Sequence, residues 1–309
     1  MDPLVSICCI TYNHEKYIRD AIEGFLMQKT DFPVEILIFD DASQDGTQEI
    51  IKEYASKNEN IITFLQTENQ WSKGKYGLID WLFPSAKGKY IALCEGDDYW
   101  IDPYKLQKQV DFLEDNEDYA MCFTNCLIIN DITNEKKIAK INIWDTADTR
   151  ELLTHNSLEG VKYGEEINSP GHTSTIVFRN HLIESFPDWY SKCFIGDEPL
   201  FLILSKYGKA KFINSISSVY RQHLSGVSTN SFTFESDYLG RIHMYKRLNA
   251  FFNKKYSKYI HHLIAQYYFK LFKVYFSQKK YIQSGINIIL SFLYDANFIL
   301  KKTKIIKKY

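Results

Sequence analysis

The chain reads as an α/β fold, with a mostly parallel central sheet flanked by helices and a helical extension at its C-terminal end. Three observations predict it. Residues 5–10, 34–39, 61–65 and 90–94 form short, predominantly apolar runs, the pattern of buried strands. The segments between several of these runs carry apolar residues at helical spacing, so strands and helices alternate. Three of the runs stop in polar clusters, at 11–13, 40–43 and 95–98. With right-handed crossovers, those ends fall on one sheet edge, where ligands of such folds bind.

Each element has a local reason. After the first strand, Asn13 is placed to cap a helix with apolar positions Tyr17, Ile18, Ala21, Ile22, Phe25 and Leu26. After the second, Asp45 with Gln48 has the spacing of a capping box ahead of Ile50, Ile51 and Tyr54. Asp102-Pro103 opens a helix carrying Leu106, Val110 and Leu113. Further along, residues 119–130 read as a long strand, 173–178 as another, 197–207 as a helix and 211–221 as one or two short strands. From about Tyr238 the chain is helical and free of proline.

The 309 residues suffice for one large domain with an appendage, and an apolar share of 45% excludes global disorder. The first residues hold no basic segment followed by an apolar run, so no secretory signal is expected. The six cysteines mostly sit in strand-like runs and read as reduced core residues of a cytosolic protein. A net charge of −1 conceals an asymmetry: from Leu239 onwards there are 15 Lys and Arg against one acid, Asp295, out of 37 and 38 in the whole chain. An anionic partner is implied for that end.

The most telling stretch is Tyr90-Ile91-Ala92-Leu93-Cys94-Glu95-Gly96-Asp97-Asp98. A buried strand running into three carboxylates is costly, because each resists desolvation and like charges repel. A cation is expected there. Oxygen ligands without a nearby Cys or His pair point to Mg²⁺ or Mn²⁺, ions that commonly serve phosphates.

Five segments in order, VSICCITYNHEKYI, VEILIFDDASQDGT, KGKYIALCEGDDYWIDPYKL, GDEPLFLILSKYGKAKFI and VYRQH, resemble the family 2 glycosyltransferases over residues 4–228. The resemblance implies a GT-A fold, a nucleotide-sugar donor, Mn²⁺ or Mg²⁺, inversion at the anomeric carbon, and a role in bacterial O-antigen, capsule or other surface polysaccharide. It divides the chain into a catalytic domain, 1–235, and a basic aromatic extension, 236–309. The nucleotide-sugar half spans about 1–100 and the acceptor half about 101–235.

Carried onto this chain, the resemblance makes Asp97 the metal ligand, with His223 completing the metal shell. Glu95 lies toward the ribose and Asp98 toward the donor sugar. Glu95 stands where the family more commonly has Asp. Asp41 reads the donor base, Thr11, Tyr12 and Asn13 line the donor, and Arg221 meets phosphate. Asp197 is the general base that takes the acceptor proton, with Glu198 its neighbouring alternative. Trp100, His172 and Ser174, together with Glu198, are the weaker acceptor-side candidates.

A sugar-1-phosphate nucleotidyltransferase shares the α/β plan but needs a Gly-rich, Arg-containing loop after the first strand, where Thr11-Tyr12-Asn13-His14 stands. A non-catalytic glycan-binding or membrane adaptor is the third reading, and the presence of Asp97 and Asp197 counts against it. The tail, with Ile282, Ile286, Ile289 and Leu293 at helical spacing before a Lys-rich end, is too polar to span a bilayer. It suits an anionic leaflet. That places the protein at the cytoplasmic face of the inner membrane, with a glycan or lipid-linked acceptor, no nucleic acid, and a homodimer as an option.

Overall fold

A computed structural model describes residues 2–139, 145–155, 171–193, 195–226 and 233–306. The expected Lys-rich end beyond Ile306, and Ser169-Pro170 ahead of His172, lie outside the described residues.

The chain alternates as expected: β1 (Val5–Thr11), α1 (Ile18–Leu26), β2 (Val34–Asp40), α2 (Thr47–Ala55), β3 (Ile61–Leu65), β4 (Tyr90–Leu93), the two-residue β5 (Tyr99–Trp100) and α3 (Lys105–Asp115). There follow β6 (Tyr119–Asn130), β7 (Glu135–Ile138), β8 (Thr146–Ala147), α4 (Thr149–His155), β9 (Val177–Arg179), α5 (Asp197–Leu204) and β10 (Lys209–Gln222). Four helices close the described chain: α6 (Phe234–Phe251), α7 (Ser257–Ser277), α8 (Tyr281–Tyr294) and α9 (Ala296–Ile306).

The strands make one sheet in the order β3-β2-β1-β4-β9-β6-β10-β5, with β7 on β6 and β8 on β10. The pairs β1 with β2, β1 with β4, β2 with β3 and β6 with β10 are parallel. The sheet is mixed rather than mostly parallel, because β9 lies antiparallel between β4 and β6. Two reversals leave β4, β6 and β10 pointing the same way. The C-terminal ends of β1, β2, β4 and β10 therefore open on one edge.

The core follows from the apolar runs. Val5, Ile7, Ile36, Ile38, Tyr90 and Ala92 are buried, and Ile18, Ala21, Ile22 and Phe25 of α1 pack into the same cluster. All six cysteines are buried and none forms a disulfide.

The chain divides into two compact units: 1–149 with 169–192 and 200–223, and 150–168 with 193–199 and 224–309. The first holds the sheet and the second holds α6–α9.

Candidate active site

Gly96 fixes the turn after β4. Its N–H donates to Ile10 O at 2.9 Å, and a Cβ there would lie 2.6 Å from Thr11 Oγ1 and 2.7 Å from Thr11 Cβ. This close approach sets Asp97 beside two imidazoles. His223 Nε2 lies 3.1 Å from Asp97 Oδ2, and His14 Nε2 lies 3.6 Å from the same oxygen. Burial alone raises the Asp97 carboxyl, but the hydrogen bond with His223 and the charges of His14 and His223 hold it below its ordinary range.

His14 was not among the residues expected here. It stood in the first matched segment, but a lone histidine before a helix has no signature that separates it from a structural one. The fold brings it to the edge, where burial lowers its pKa and Nδ1 has no hydrogen-bond partner. Thr11 Oγ1 is likewise buried without a partner.

Asp98 and Arg221 have structural work. Asp98 is 3% exposed and accepts the Arg221 backbone N–H at 2.9 Å, fastening the end of β10 to the turn after β4. Burial, then the charges of Asp97 and Glu95, push its carboxyl well above the ordinary range. The Arg221 guanidinium pairs with Asp20, donates to Asp97 O at 3.2 Å and stacks on Tyr99. These contacts fix the position of both side chains at the sheet edge.

The next cluster is a cleft of about 400 Å³ lined by residues that include Tyr12, Ala42, Gln48, Gln66 and Asn69. Tyr12, 43% exposed, presents its ring. Asp40 is buried and accepts Ser43 N–H at 2.9 Å, the Ser43 hydroxyl, and Gln48 Nε2 at 2.6 Å. Asp41 accepts Gln70 N–H at 2.6 Å, Asn69 Nδ2 at 3.0 Å and Trp71 N–H at 3.2 Å. These contacts make Asp41 the anchor of the 69–71 loop beside the cleft.

Asn13 is also tied down: its N–H donates to Ser43 Oγ and its Oδ1 accepts Gln44 N–H, both at 2.8 Å. It has φ +57° and is not the cap of α1, which starts at Ile18. Ala42, at φ +64°, carries a Cβ in a region that disfavours one.

Trp100 and Ser174 are corrected as acceptor candidates. Trp100 is 1% exposed, packs on Phe25 and donates Nε1–H to Ser174 O at 2.9 Å. Ser174 is fully buried against Ser218. His172 is partly exposed and stacks on Tyr220 with ring centroids 4.7 Å apart.

In the second unit, Asp197 opens α5 and accepts Glu198 N–H at 2.7 Å. Glu198 turns inward, pairing with Arg241 Nη1 at 2.5 Å and accepting the Tyr245 hydroxyl. Glu198 is therefore an internal brace and not an acceptor contact. Glu95 accepts Asp98 N–H through its backbone carbonyl at 3.2 Å.

Among the described residues, no three His, Cys, Asp or Glu side chains surround a common metal position. An Mg²⁺ or Mn²⁺ ion that also binds substrate phosphates needs one or two protein carboxylates. Asp97 supplies a carboxylate and His223 an imidazole, a donor pair that fits such an ion.

The fold of the chain matches solved structures of the GT-A class. The crystal structure of S. aureus TarS 1-349 in complex with UDP-GlcNAc aligns with a TM-score of 0.63 over 93% of this chain and 79% of that one, at 17% identity. The mannosyltransferase PcManGT from Pyrobaculum calidifontis, in complex with GDP-Man and Mn²⁺, aligns at 0.56 over 100% and 81%, at 14% identity. The fold is GT-A.

Residues 6–183 match the family described as glycosyl transferase family 2. The Escherichia coli UDP-Glc:alpha-D-GlcNAc-diphosphoundecaprenol beta-1,3-glucosyltransferase WfaP is 31% identical over 233 residues, 74% of this chain and 81% of its own. The chain belongs to glycosyltransferase family 2. An uncharacterized protein of Mycobacterium tuberculosis (strain ATCC 25618 / H37Rv), Rv1520, is 32% identical over 230 residues, 74% of this chain and 62% of that protein, so the match spans less than two thirds of that relative's length.

Proposed function

We propose that this glycosyltransferase is inverting and metal-dependent, and that it moves a sugar from a nucleotide sugar, a UDP-sugar in the first instance, to a hydroxyl of a growing lipid-linked bacterial surface glycan. The observation that carries the reading is Asp97, a carboxylate at the C-terminal sheet edge faced by His223 at 3.1 Å. Asp97 and His223 would hold Mn²⁺ or Mg²⁺, which as a Lewis acid neutralises charge on the leaving diphosphate. The imidazole in this pair favours Mn²⁺. Tyr12 and the cleft beside it would take the base.

Asp197 would accept the acceptor hydroxyl's proton as the oxygen attacks the anomeric carbon. The bond from that carbon to the diphosphate oxygen breaks on the opposite face, and the nucleotide leaves with the electron pair. The catalytic domain would be 1–235 and the extension 236–309. The activity for which WfaP is named, transfer to a diphosphoundecaprenol-linked sugar, supports a lipid-linked acceptor and hence work at the cytoplasmic face of the inner membrane.

A thermal-shift screen of UDP, GDP and their sugars, with and without Mn²⁺, tests the donor, because a ligand of the folded state raises the melting temperature by mass action. The expected result is a Mn²⁺-dependent shift with UDP that Asp97→Asn removes. Asp197→Asn should bind UDP normally yet lose transfer by about 10²-fold or more. Full transfer by Asp97→Asn would sink the metal assignment.

A further inference from the structure

Helix α8 (Tyr281–Tyr294) is built inside out. The residues it buries are small or polar: Ser284 at 2% exposure, Asn287 at 8% and Ser291 at 0%. Ser284 Oγ donates to Phe272 O at 3.1 Å and Ser291 Oγ to Ala265 O at 2.7 Å, fastening α8 to α7 through hydroxyls. The opposite face carries Ile282, Ile286, Ile289 and Leu293, exposed by 77, 51, 61 and 71%. Their spacing of four, three and four residues is one continuous helical stripe, about 20 Å long for 14 residues. A water-soluble helix turns such a stripe inward and its serines outward. Among the described residues nothing covers these large side chains, and the reversal marks a contact surface.

The charge around the stripe selects the occupant. Exposed Lys279 and Lys280 precede α8, and exposed Lys301 follows it on α9. From Leu239 to the end there is one acid, Asp295, and it is committed to His262 Nδ1 at 2.6 Å and to the N–H of Phe298 at 3.0 Å. A second copy meeting this face with its own equivalent face would bring the same excess of positive charge to the contact and repel it. A nucleic acid would neutralise the lysines but leave four aliphatic side chains uncovered. A bilayer of anionic phospholipid answers both, taking the stripe among its acyl chains and the lysines among its headgroups. Among the described residues no helix is long and apolar enough to cross a membrane, so the contact lies in the plane of the surface.

We propose that the α8 stripe, flanked by Lys279, Lys280 and Lys301, is the docking face of this protein on an anionic membrane leaflet. The proposal deepens the lipid-linked reading of the acceptor and rests on that reading for its purpose. The test is sedimentation of the full chain with vesicles of phosphatidylcholine alone and of phosphatidylcholine mixed with phosphatidylglycerol, at low and high salt. Binding is expected on the anionic vesicles and should weaken with salt.

The Ile286→Ser/Ile289→Ser variant should lose about tenfold or more in vesicle affinity while keeping its melting temperature, since both residues face outward. Lys279→Gln/Lys280→Gln should bind more weakly and with less dependence on salt. Vesicle binding unchanged in the stripe variant would overturn the proposal. So would a dimer in solution that the stripe variant abolishes, with no vesicle binding by the native chain. UDP binding, measured without lipid, reports on the transferase reading separately: a chain that binds UDP but no vesicle refutes only the docking face.

Discussion

Glu198→Gln probes the brace behind Asp197 and should cost about 3 kcal/mol of stability. The Glu198 and Arg241 side chains are 14% and 16% exposed, and their contact is 2.5 Å. Burial raises the Glu198 carboxyl above its ordinary range despite the Arg241 charge, so desolvation is the larger effect. In that regime removing one partner is expensive, about 3–5 kcal/mol, because a charge is left buried and uncompensated. Two features place this case at the lower end. Arg241 Nε keeps Asp237 at 2.8 Å, and the glutamine carbonyl can still accept from Tyr245. At about 1.4 kcal/mol per decade, 3 kcal/mol is roughly a hundredfold fall in the folding equilibrium.

Urea unfolding of the intact chain measures the loss. The double replacement Glu198→Leu/Arg241→Met should recover most of it, because it removes both desolvated charges together. A single Glu198→Gln within about 0.5 kcal/mol of the native chain would refute the claim that this pair is a buried brace.

Three further outcomes are expected. Gly96→Ala should cost about 1–3 kcal/mol by overpacking, since its Cβ would lie 2.6 Å from Thr11 Oγ1; an unchanged melting temperature would count against the close turn. Asp41→Ala removes the acceptor of Gln70 N–H, Asn69 Nδ2 and Trp71 N–H, so limited proteolysis should cut the 68–74 loop faster, and an unchanged cleavage rate would contradict the anchor. Burial raises the Asp295 carboxyl, but hydrogen bonds from His262 and Phe298 N–H hold it below its ordinary 3.8. That contribution is present above pH 3.8 and is lost as pH falls through the lower folded value. Melting curves of the native chain and Asp295→Asn should therefore converge on acidification below about pH 4.

The strands that could be read from the sequence were those whose environment is uniform. β1, β2 and β4 are largely apolar because neighbours and helices bury them, while β3, at the end of the sheet, is only partly covered and leaves Ile62 37% exposed. β9 was harder to read, because Thr173–Thr175 forms a tight helical turn and leaves three residues, Val177–Arg179, for the strand. Local pairing signals failed where a distant partner won. Gln48 does not close a capping box with Asp45, since its amide donates to Asp40 Oδ1 at 2.6 Å and to Gln66 O at 2.9 Å. Asp45 instead accepts Thr47 N–H at 3.1 Å, and α2 begins at Thr47. Asp102 accepts Tyr104 N–H at 3.0 Å but lies three residues before α3, which starts at Lys105. Trp100 looked presentable because it follows the acidic turn, but strand pairing with Ser218 and packing on Phe25 turn its ring inward.

The acidic residues come in neighbouring pairs, and the fold treats the members differently. Asp98 takes a backbone N–H of β10 while Asp97 faces two imidazoles. Asp40 and Asp41 are both consumed by loops, and what they leave is a cleft walled by Tyr12 and the residues they hold. Glu198 is locked to Arg241 while Asp197 stands at the start of α5. A carboxylate that must act at a substrate needs fixed geometry, yet direct contacts that fix it also occupy its lone pairs. Under the roles proposed above, placing the fastening on the adjacent residue eases the conflict: Asp97 keeps only its imidazole contacts and Asp197 one backbone contact, so each would have acceptor positions left for ligand or proton. In Asp97-Asp98 and Asp197-Glu198 alike, the second residue is the fastener. Mutations at Asp98 and Glu198 should consequently depress stability first, and mutations at Asp97 and Asp197 chemistry first.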